Sequence, residues 1–182
     1  MTKAGRVKLG DFGLARICDP LDSRPYTNKV ITLWYRPPEL LIGDERYTSA
    51  VDMWSAGCIL AELFQRKPLF QVNPRSLDYM DVLNRNVKIQ ASTEVAQLEV
   101  ICKSCGIPDA ATWPELPKLK YFKTMVHPLV GRFHPKPRRQ IREIFCALPN
   151  DSVDLLDSLL RLNPTKRLSS NDAVQGKYIF YH

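Results

Sequence analysis

The sequence predicts a mainly α-helical fold in one unit spanning residues 1–182. Two observations lead to this: five segments carry the apolar pattern or the start and stop signals of helices, and strand-like sequence is confined to residues 6–9. Apolar residues make up 45% of the chain. That apolar fraction, with 25% charged residues in a chain of 182, is typical of a globular domain with a buried core. We expect neither a membrane span nor a secretory signal, because long apolar runs and an apolar leader are both missing.

The first half of the chain predicts a loop and two helices. Residues 18–29 are polar and rich in turn-forming residues, so we expect a loop there. A short helix is expected within residues 37–43, which begin with proline and end with glycine. Residues 49–64 are apolar nearly all round, which predicts a central helix buried in the middle of the domain.

The second half predicts a set of late helices over residues 92–182. A helix is expected to begin with a capping pattern at Ser92 and Thr93 and to end at Gly106. An amphipathic helix is expected from residue 151 until Asn163 and Pro164 stop it. A last short helix with a serine cap is expected within residues 169–178.

The charge and the cysteines bound the class of function. The net charge is +7, and the densest basic stretch is residues 136–142. That stretch lacks interleaved aromatic residues, so we expect a solvated surface rather than a nucleic-acid interface. The five cysteines cannot all pair, which favours reduced thiols inside the cell. Cys102 and Cys105 have the spacing of a zinc pair, but one pair cannot fill a tetrahedral site.

Four segments carry the chemistry, in the order KLGDFGLAR (8–16), TLWYRPPEL (32–40), VDMWSAGCILAEL (51–63) and LNPTKRL (162–168). An isolated Asp-Phe-Gly is a weak signal, but the four together resemble a protein kinase. The resemblance is to the magnesium loop, the activation segment, the central helix and a late motif with a buried arginine. It implies a protein-kinase-like C-lobe that begins just before the magnesium loop, with an activation segment over residues 11–39.

The resemblance implies roles for the Asp-Phe-Gly residues. Asp11 is expected to hold Mg²⁺ on the β- and γ-phosphates of ATP, where a hard oxygen ligand is needed. Phe12 is expected to pack and set the state of the loop, and Gly13 to permit a sharp backbone turn. Gly10 departs from the alanine that is common at this position of the family.

The activation segment is expected to carry a phosphosite and a platform for the peptide substrate. Thr27 resembles the activation-loop phosphosite, with Arg16 as a phosphate partner; the alternative is a plain exposed threonine. Val30, Thr32 and Arg36 are expected to form the substrate platform. Arg36 follows the pattern of proline-directed kinases, in which it shapes the pocket for the residue after the target serine or threonine.

Three residues are expected to have structural roles. Glu39 and Arg167 are expected to form a buried pair that ties the activation segment to the late helices. Asp52 is expected to cap the backbone of the catalytic loop from the central helix, because a carboxylate in an apolar helix needs a partner. The alternative for Asp52 is an ordinary helix aspartate.

Other segments indicate a branch of the family. Residues 24–47, 113–125 and 138–145 look most like the transcriptional cyclin-dependent kinases that pair with cyclin K. Those kinases phosphorylate the C-terminal repeat of RNA polymerase II. The resemblance therefore implies ATP and Mg²⁺ as cofactors, a nuclear location, and no direct contact with nucleic acid or membrane.

The residues before Lys8 contain no Gly-rich loop, strand lysine, αC glutamate or His-Arg-Asp catalytic loop. We therefore expect this chain alone to be inactive, to bind ATP weakly and to bind cyclin weakly or not at all. We also expect Trp54, Ile59 and Leu63 to be partly exposed. The alternatives to an enzyme are a non-catalytic interaction fragment of kinase descent and a truncated gene model.

Two segments are extra relative to the family pattern. Residues 72–90 interrupt an otherwise close match, and they represent either a retained intron or a surface loop, which a fold tolerates at small entropic cost. A second, smaller insertion near residues 126–134 is expected to be a loop.

Overall fold

The computed structural model describes residues 6–17, 24–72 and 89–176, with side chains in its third helix described from Glu94 onward. Within these residues the regular structure is helical, which confirms the mainly α-helical prediction. The α-helices in chain order are α1 (Pro38–Leu41), α2 (Ala50–Gln65), α3 (Ile89–Cys105), α4 (His127–Arg132), α5 (Ile141–Ile144), α6 (Asn150–Leu159) and α7 (Ser170–Gln175). A π-helix, Phe122–Val126, leads directly into α4.

Helix α2 is central to the packing, as its apolar sequence predicts. Trp54, Cys58 and Ala61 are all buried on it. The Trp54 ring stacks on Phe70 with ring centroids 5.5 Å apart. Gly57 allows α6 to approach closely, because a Cβ atom there would lie 2.9 Å from the Leu159 Cβ.

The core joins α2, α3, α6 and the segment that runs from residue 113 to α4. Its fully buried side chains stabilise the domain by removing apolar surface from water, at about 25 cal/mol per Å². The largest of them are Trp54, Phe70, Leu41, Ile42, Leu98, Ile101, Leu116, Leu129, Ile141, Leu156 and Leu160.

Helix α1 ends on a glycine that the fold requires. Gly43 has a φ of +91°, which is accessible to glycine at no steric cost. A Cβ at this position would lie 2.6 Å from the Tyr121 ring. The Tyr121 amide donates to the Ile42 carbonyl at 2.8 Å, so the end of α1 is fixed against the segment before α4.

The late helices follow the sequence closely at their C-terminal ends. Helix α3 ends before Gly106, whose φ is +83°. Helix α6 ends before Asn163 and Pro164, and the Asn163 side chain accepts from the Thr165 amide at 2.9 Å. Helix α7 begins after Ser169, whose hydroxyl oxygen accepts from the Asp172 amide at 3.1 Å.

Four sequence expectations about the fold are wrong in the described residues. Residues 6–9 are not a strand, because no described strand pairs with them. Helix α3 begins at Ile89, so Ser92 and Thr93 lie inside it and do not cap it. The segment expected as a loop at 126–134 contains α4, which the buried Leu129 anchors. Trp54 is fully buried because Phe70 covers it.

Three expectations fall wholly or partly outside the described residues. Of the inserted segment 72–90, residues 73–88 lie outside them, while Val72 is buried and α3 begins at Ile89. Cys18 and the first part of the 18–29 loop also lie outside, as does the chain beyond residue 176. Among the residues that are described, no helix is long and apolar enough to cross a membrane.

Candidate functional site

Asp11 lies on an exposed segment with an unusual backbone. Its φ is 62° and its ψ is 65°, which is left-handed. A 3₁₀ turn, Phe12–Leu14, follows it. The left-handed residue is therefore Asp11 itself and not Gly13. Asp11 fits the role of one hard oxygen ligand for Mg²⁺. In the described part of the chain, no three potential metal ligands lie together, so any further ligands would come from the nucleotide or from other residues.

Phe12 does not pack in the way that the sequence predicts. Its side chain is 69% exposed, and its neighbours Leu9 and Leu14 are also exposed. The described core therefore does not cover the Asp-Phe-Gly segment.

Thr27 lies where the rings of Tyr26 and Tyr47 are in contact. Its side chain is exposed, and its carbonyl accepts from the Tyr47 hydroxyl at 2.9 Å. The Tyr26 and Tyr47 rings are 5.3 Å apart, and the Arg16 guanidinium lies 5.5 Å from the centre of the Tyr26 ring. Arg16 is thus held beside the residue that precedes Thr27, by a cation–π contact. Its pairing with a phosphate on Thr27 stays a prediction.

An open cavity of about 430 Å³ adjoins this part of the segment. It is lined by Arg16, Ile17, Arg24, Pro25 and Tyr26. Two cationic side chains at its edge give it a potential that favours an anion.

Arg36 is bonded on two edges of its guanidinium. Its Nε donates to the Val30 carbonyl at 2.9 Å and to the Ile31 carbonyl at 3.2 Å, and its Nη2 donates to the Ile31 carbonyl at 3.0 Å. Its Nη1 donates to Glu94 Oε1 on α3 at 2.8 Å. The arginine therefore joins residues 30–31 to α3, and the role of this segment as a substrate platform stays a prediction.

Ile31 has a left-handed backbone, with a φ of 66°. Such a φ is a real outlier for a β-branched residue and costs roughly 1–3 kcal/mol at a non-glycine position. The two hydrogen bonds from Arg36 to the Ile31 carbonyl stabilise it. Thr32, the next residue, is exposed on the same segment.

The segment of residues 30–36 is also attached to α2. The Tyr35 hydroxyl donates to Glu62 Oε2 at 2.7 Å, and the Ser55 hydroxyl donates to the Tyr35 carbonyl at 3.0 Å. The hydrogen bond to the Glu62 carboxylate, followed by burial, raises the pKa of Tyr35 above its ordinary value. Residues 30–36 are therefore held by two helices, α2 and α3.

Glu39 and Arg167 form the buried pair that the resemblance implies. Arg167 Nη1 and Nη2 donate to the two Glu39 carboxylate oxygens at 2.7 and 2.9 Å, and both side chains are buried. Nη1 also donates to the Ala50 carbonyl at 2.7 Å. The guanidinium lies 5.2 Å from the centre of the Trp54 ring. The pair is bidentate, and the other N–H groups of Arg167 donate to backbone carbonyls. These hydrogen bonds offset the cost of removing the two charges from water.

Asp52 is exposed on the first turn of α2. The expectation of a buried carboxylate at this position is wrong for the described structure, because an apolar sequence around a residue does not fix the face on which that residue lies. Its role in capping a catalytic loop stays a prediction.

The basic stretch at residues 136–142 is largely paired internally. Asp157 on α6 is nearly buried and accepts from Arg139 at 2.6 Å and from Arg161 at 2.5 Å. Arg139 also donates to the Asp157 and Leu160 carbonyls. Arg142 pairs with Asp154. Arg139 and Arg142 therefore stabilise the α5–α6 corner. Lys136, Arg138 and Arg142 are nevertheless exposed, which agrees with the solvated surface that the sequence predicts.

The cysteines in the described residues are free, and Cys58, Cys102 and Cys105 are buried. Burial raises the pKa of the Cys105 thiol to about 12 and the pKa values of Cys58 and Cys102 still further above their ordinary range. These thiols behave as small apolar side chains.

Glu94 and the left-handed Ile31 are missed by reasoning from sequence. Glu94 lies 58 residues from Arg36 along the chain, so no local pattern links them. A β-branched residue rarely adopts a positive φ, so the sequence predicts an ordinary extended or helical backbone at Ile31, which is the opposite of what is observed. Only the folded arrangement brings the two together through Arg36.

A family model described as the protein kinase domain matches residues 1–179. The chain belongs to the protein kinase family. The resemblance drawn from its four segments is thereby confirmed.

Curated relatives place the kinase in the cyclin-dependent branch. Cyclin-dependent kinase 12 of Drosophila melanogaster is 47% identical over 180 residues, which cover 98% of this chain and 13% of that protein. Cyclin-dependent kinase 12 of Caenorhabditis elegans is 46% identical, over 96% of this chain and 20% of that protein. CTD kinase subunit alpha of Schizosaccharomyces pombe is 39% identical, over 96% of this chain and 25% of that protein. The chain thus spans a quarter or less of these relatives.

Solved structures agree in fold. The yeast RNA Pol II CTD kinase CTDK-1 complex contains a chain with a TM-score of 0.73 and 35% identity, covering 93% of this chain and 48% of that chain. The CAK complex of Chaetomium thermophilum bound to ATP-gamma-S contains a chain with a TM-score of 0.74 and 33% identity, covering 98% of this chain and 48% of that chain. The described helices therefore have a kinase-like arrangement.

Proposed function

We propose that these 182 residues form the C-terminal lobe of a proline-directed serine/threonine kinase of the cyclin-dependent type. The observation that carries the proposal is the left-handed Ile31 held by Arg36. The Val30 and Ile31 carbonyls both accept from the guanidinium, so neither is directed to a bound peptide.

Proline after the target residue suits such a platform. A non-proline residue brings a backbone N–H that would lose its water without finding an acceptor, and an unsatisfied donor costs about 1–3 kcal/mol. Proline has no N–H and avoids this cost. The platform would therefore select proline by penalising the alternatives.

The remaining parts of the proposal follow from the resemblance and the relatives. Asp11 would hold Mg²⁺ on ATP, and a phosphate on Thr27 would be met by Arg16. In the complete protein the substrate would be the C-terminal repeat of RNA polymerase II, the partner a cyclin of the cyclin K type, and the location nuclear. The names of the fly, worm and yeast relatives support this choice of branch.

The test compares two peptides that differ only in the residue after the target serine, proline or alanine. We expect the longer kinase that contains these residues, with its cyclin, to prefer the proline peptide. Arg36→Ala should reduce the preference about tenfold, because the carbonyls become free to accept. Equal rates for both peptides in the unmodified kinase would contradict the proposal.

For the 182-residue chain alone we propose no kinase activity, because phosphoryl transfer depends on positioned groups that these residues do not include. ATP-dependent phosphorylation by the purified chain, abolished by Asp11→Ala, would contradict this. A second candidate, an interaction fragment, is favoured by the exposed apolar side chains Ile59, Leu63 and Phe64 on α2.

A further inference from the structure

Glu94 on α3 holds the edge of Arg36 that faces away from the substrate platform. The Nε and Nη2 atoms of Arg36 bond the Val30 and Ile31 carbonyls, and its Nη1 bonds Glu94 at 2.8 Å. A guanidinium is planar and rigid, so bonds on two edges fix both its position and its tilt. Glu94 thus determines how Arg36 presents its donors to the platform.

We propose that Glu94 is a positioning residue that sets the selectivity for proline after the target serine or threonine. It would act through Arg36, by holding the guanidinium where it keeps Ile31 left-handed and its carbonyl occupied. The proposal rests on the proposed function, because it concerns the same pocket.

The carboxylate is well placed for this task because α3 is anchored in the core. Gln97, one turn further along α3, is fully buried, and its Nε2 donates to the Phe70 carbonyl at 2.9 Å. Leu98 and Ile101 are also fully buried on α3. Rotation of α3 would break these contacts, so Glu94 has little freedom to leave Arg36.

The ion pair is shielded from water. The Arg36 and Glu94 side chains are 13% and 21% exposed. A charge-assisted hydrogen bond is stronger in such a place than at an open surface. Without Glu94, Nη1 would seek water, and the plane of the guanidinium would be free to turn away from the two carbonyls.

A purely structural role for Glu94 predicts a different result. If the pair only attached α3 to the platform, its loss would lower the activity on every peptide by the same factor. If Glu94 positions Arg36, the loss changes the ratio of activities on the proline and alanine peptides. The ratio therefore separates the two roles.

The experiment compares Glu94→Ala and Glu94→Gln with a matched control, Glu99→Ala. Glu99 lies on α3 as well, is 19% exposed, and pairs with Lys103 and Arg132 without touching Arg36. In the longer kinase with its cyclin, we expect Glu94→Ala to lower the proline-to-alanine ratio of kcat/KM about tenfold. Glu94→Gln keeps an oxygen acceptor but no charge, so its proline-to-alanine ratio should lie between those of Glu94→Ala and the unmodified kinase. Glu99→Ala should leave the ratio unchanged.

A second measurement uses the 182-residue chain and needs no activity. Amide hydrogen exchange in residues 30–33 should become about tenfold faster in Glu94→Ala than in Glu99→Ala, with exchange in α2 and α6 unchanged. A Glu94→Ala protein that keeps the parent ratio, or the control's exchange rate, overturns the inference.

Failure of the inference and failure of the proposed function give different results. A proline preference that Arg36→Ala removes and Glu94→Ala leaves intact contradicts the inference alone. An unmodified kinase without a proline preference contradicts the proposed function, and the inference falls with it.

Discussion

At the scale of single residues, Arg167 is the most constrained charge in the described structure. It meets the Glu39 carboxylate, the Ala50 and Arg161 carbonyls and the Trp54 ring at once. These contacts join α1, the start of α2 and the turn after α6. One side chain therefore couples parts of the chain that are 128 residues apart.

Arg167→Met should destabilise the domain by about 3–5 kcal/mol, because it strands the buried Glu39 carboxylate without a partner. Urea unfolding followed by Trp fluorescence measures the change in the free energy of unfolding. Arg138→Ala is the matched control, since its pair with Glu143 is exposed and such pairs contribute about 0–1 kcal/mol. Equal losses in the two variants would show that the buried pair contributes no more than an exposed one.

Thiol reactivity tests the burial of the cysteines. In a Cys18→Ser background, one cysteine should react quickly with a thiol reagent at pH 8, and Cys146 is the exposed one. Cys58, Cys102 and Cys105 should react only after unfolding, because burial limits access and raises their pKa values. The measurement is mass spectrometry of the labelled native and denatured protein. Rapid native labelling at Cys105 would contradict the described packing.

At the scale of elements, the sequence predicts the helices that have a clear chemical start or stop. Gly106 and the Asn163-Pro164 pair end α3 and α6 where expected. Prediction fails where tertiary packing, and not local sequence, determines the structure. Helix α4 forms because Leu129 is buried against the core, although the segment around it contains proline and glycine. The exposed residues 6–9 form no strand, because a strand needs a partner and no described segment pairs with them.

Gly57→Ala should be destabilising even though alanine favours helices. A Cβ at Gly57 would lie 2.9 Å from the Leu159 Cβ and 3.0 Å from Leu160 Cδ2, so α2 and α6 would have to separate. Overpacking of this kind costs about 1–3 kcal/mol. Thermal unfolding by circular dichroism measures the effect as a lower Tm.

Gly131→Ala is the matched control for that substitution. Gly131 lies in α4, and a Cβ there meets nothing within 4 Å. The change should therefore be neutral or stabilising by roughly 0.5–1 kcal/mol, through helix propensity alone. An unchanged or raised Tm in Gly57→Ala would contradict the close packing of α2 on α6.

At the scale of the whole molecule, the sequence marks the residues of the candidate site more readily than the contacts that attach them to distant helices. Short motifs mark Asp11, Thr27, Arg36, Glu39 and Arg167, because each has a recognisable neighbourhood in the chain. The contact between Arg36 and Glu94 has no such signal, since it depends on how α3 packs on the core. The exposure of Asp52 is likewise decided by which face of α2 the neighbouring elements cover.

The exposed face of α2 should control self-association of the 182-residue chain. Ile59 and Leu63 are 53% and 71% exposed and lie one turn apart on α2. Contiguous apolar surface of this kind favours association. Leu63→Lys should shift the chain towards monomer with little change in Tm, because the substituted side chain is already largely in water. Size-exclusion chromatography with light scattering measures the mass.

Val174→Lys is the matched control, because Val174 is an exposed apolar residue on another helix, α7. This change should leave association unchanged. A parent chain that is monomeric at high concentration would refute the expectation.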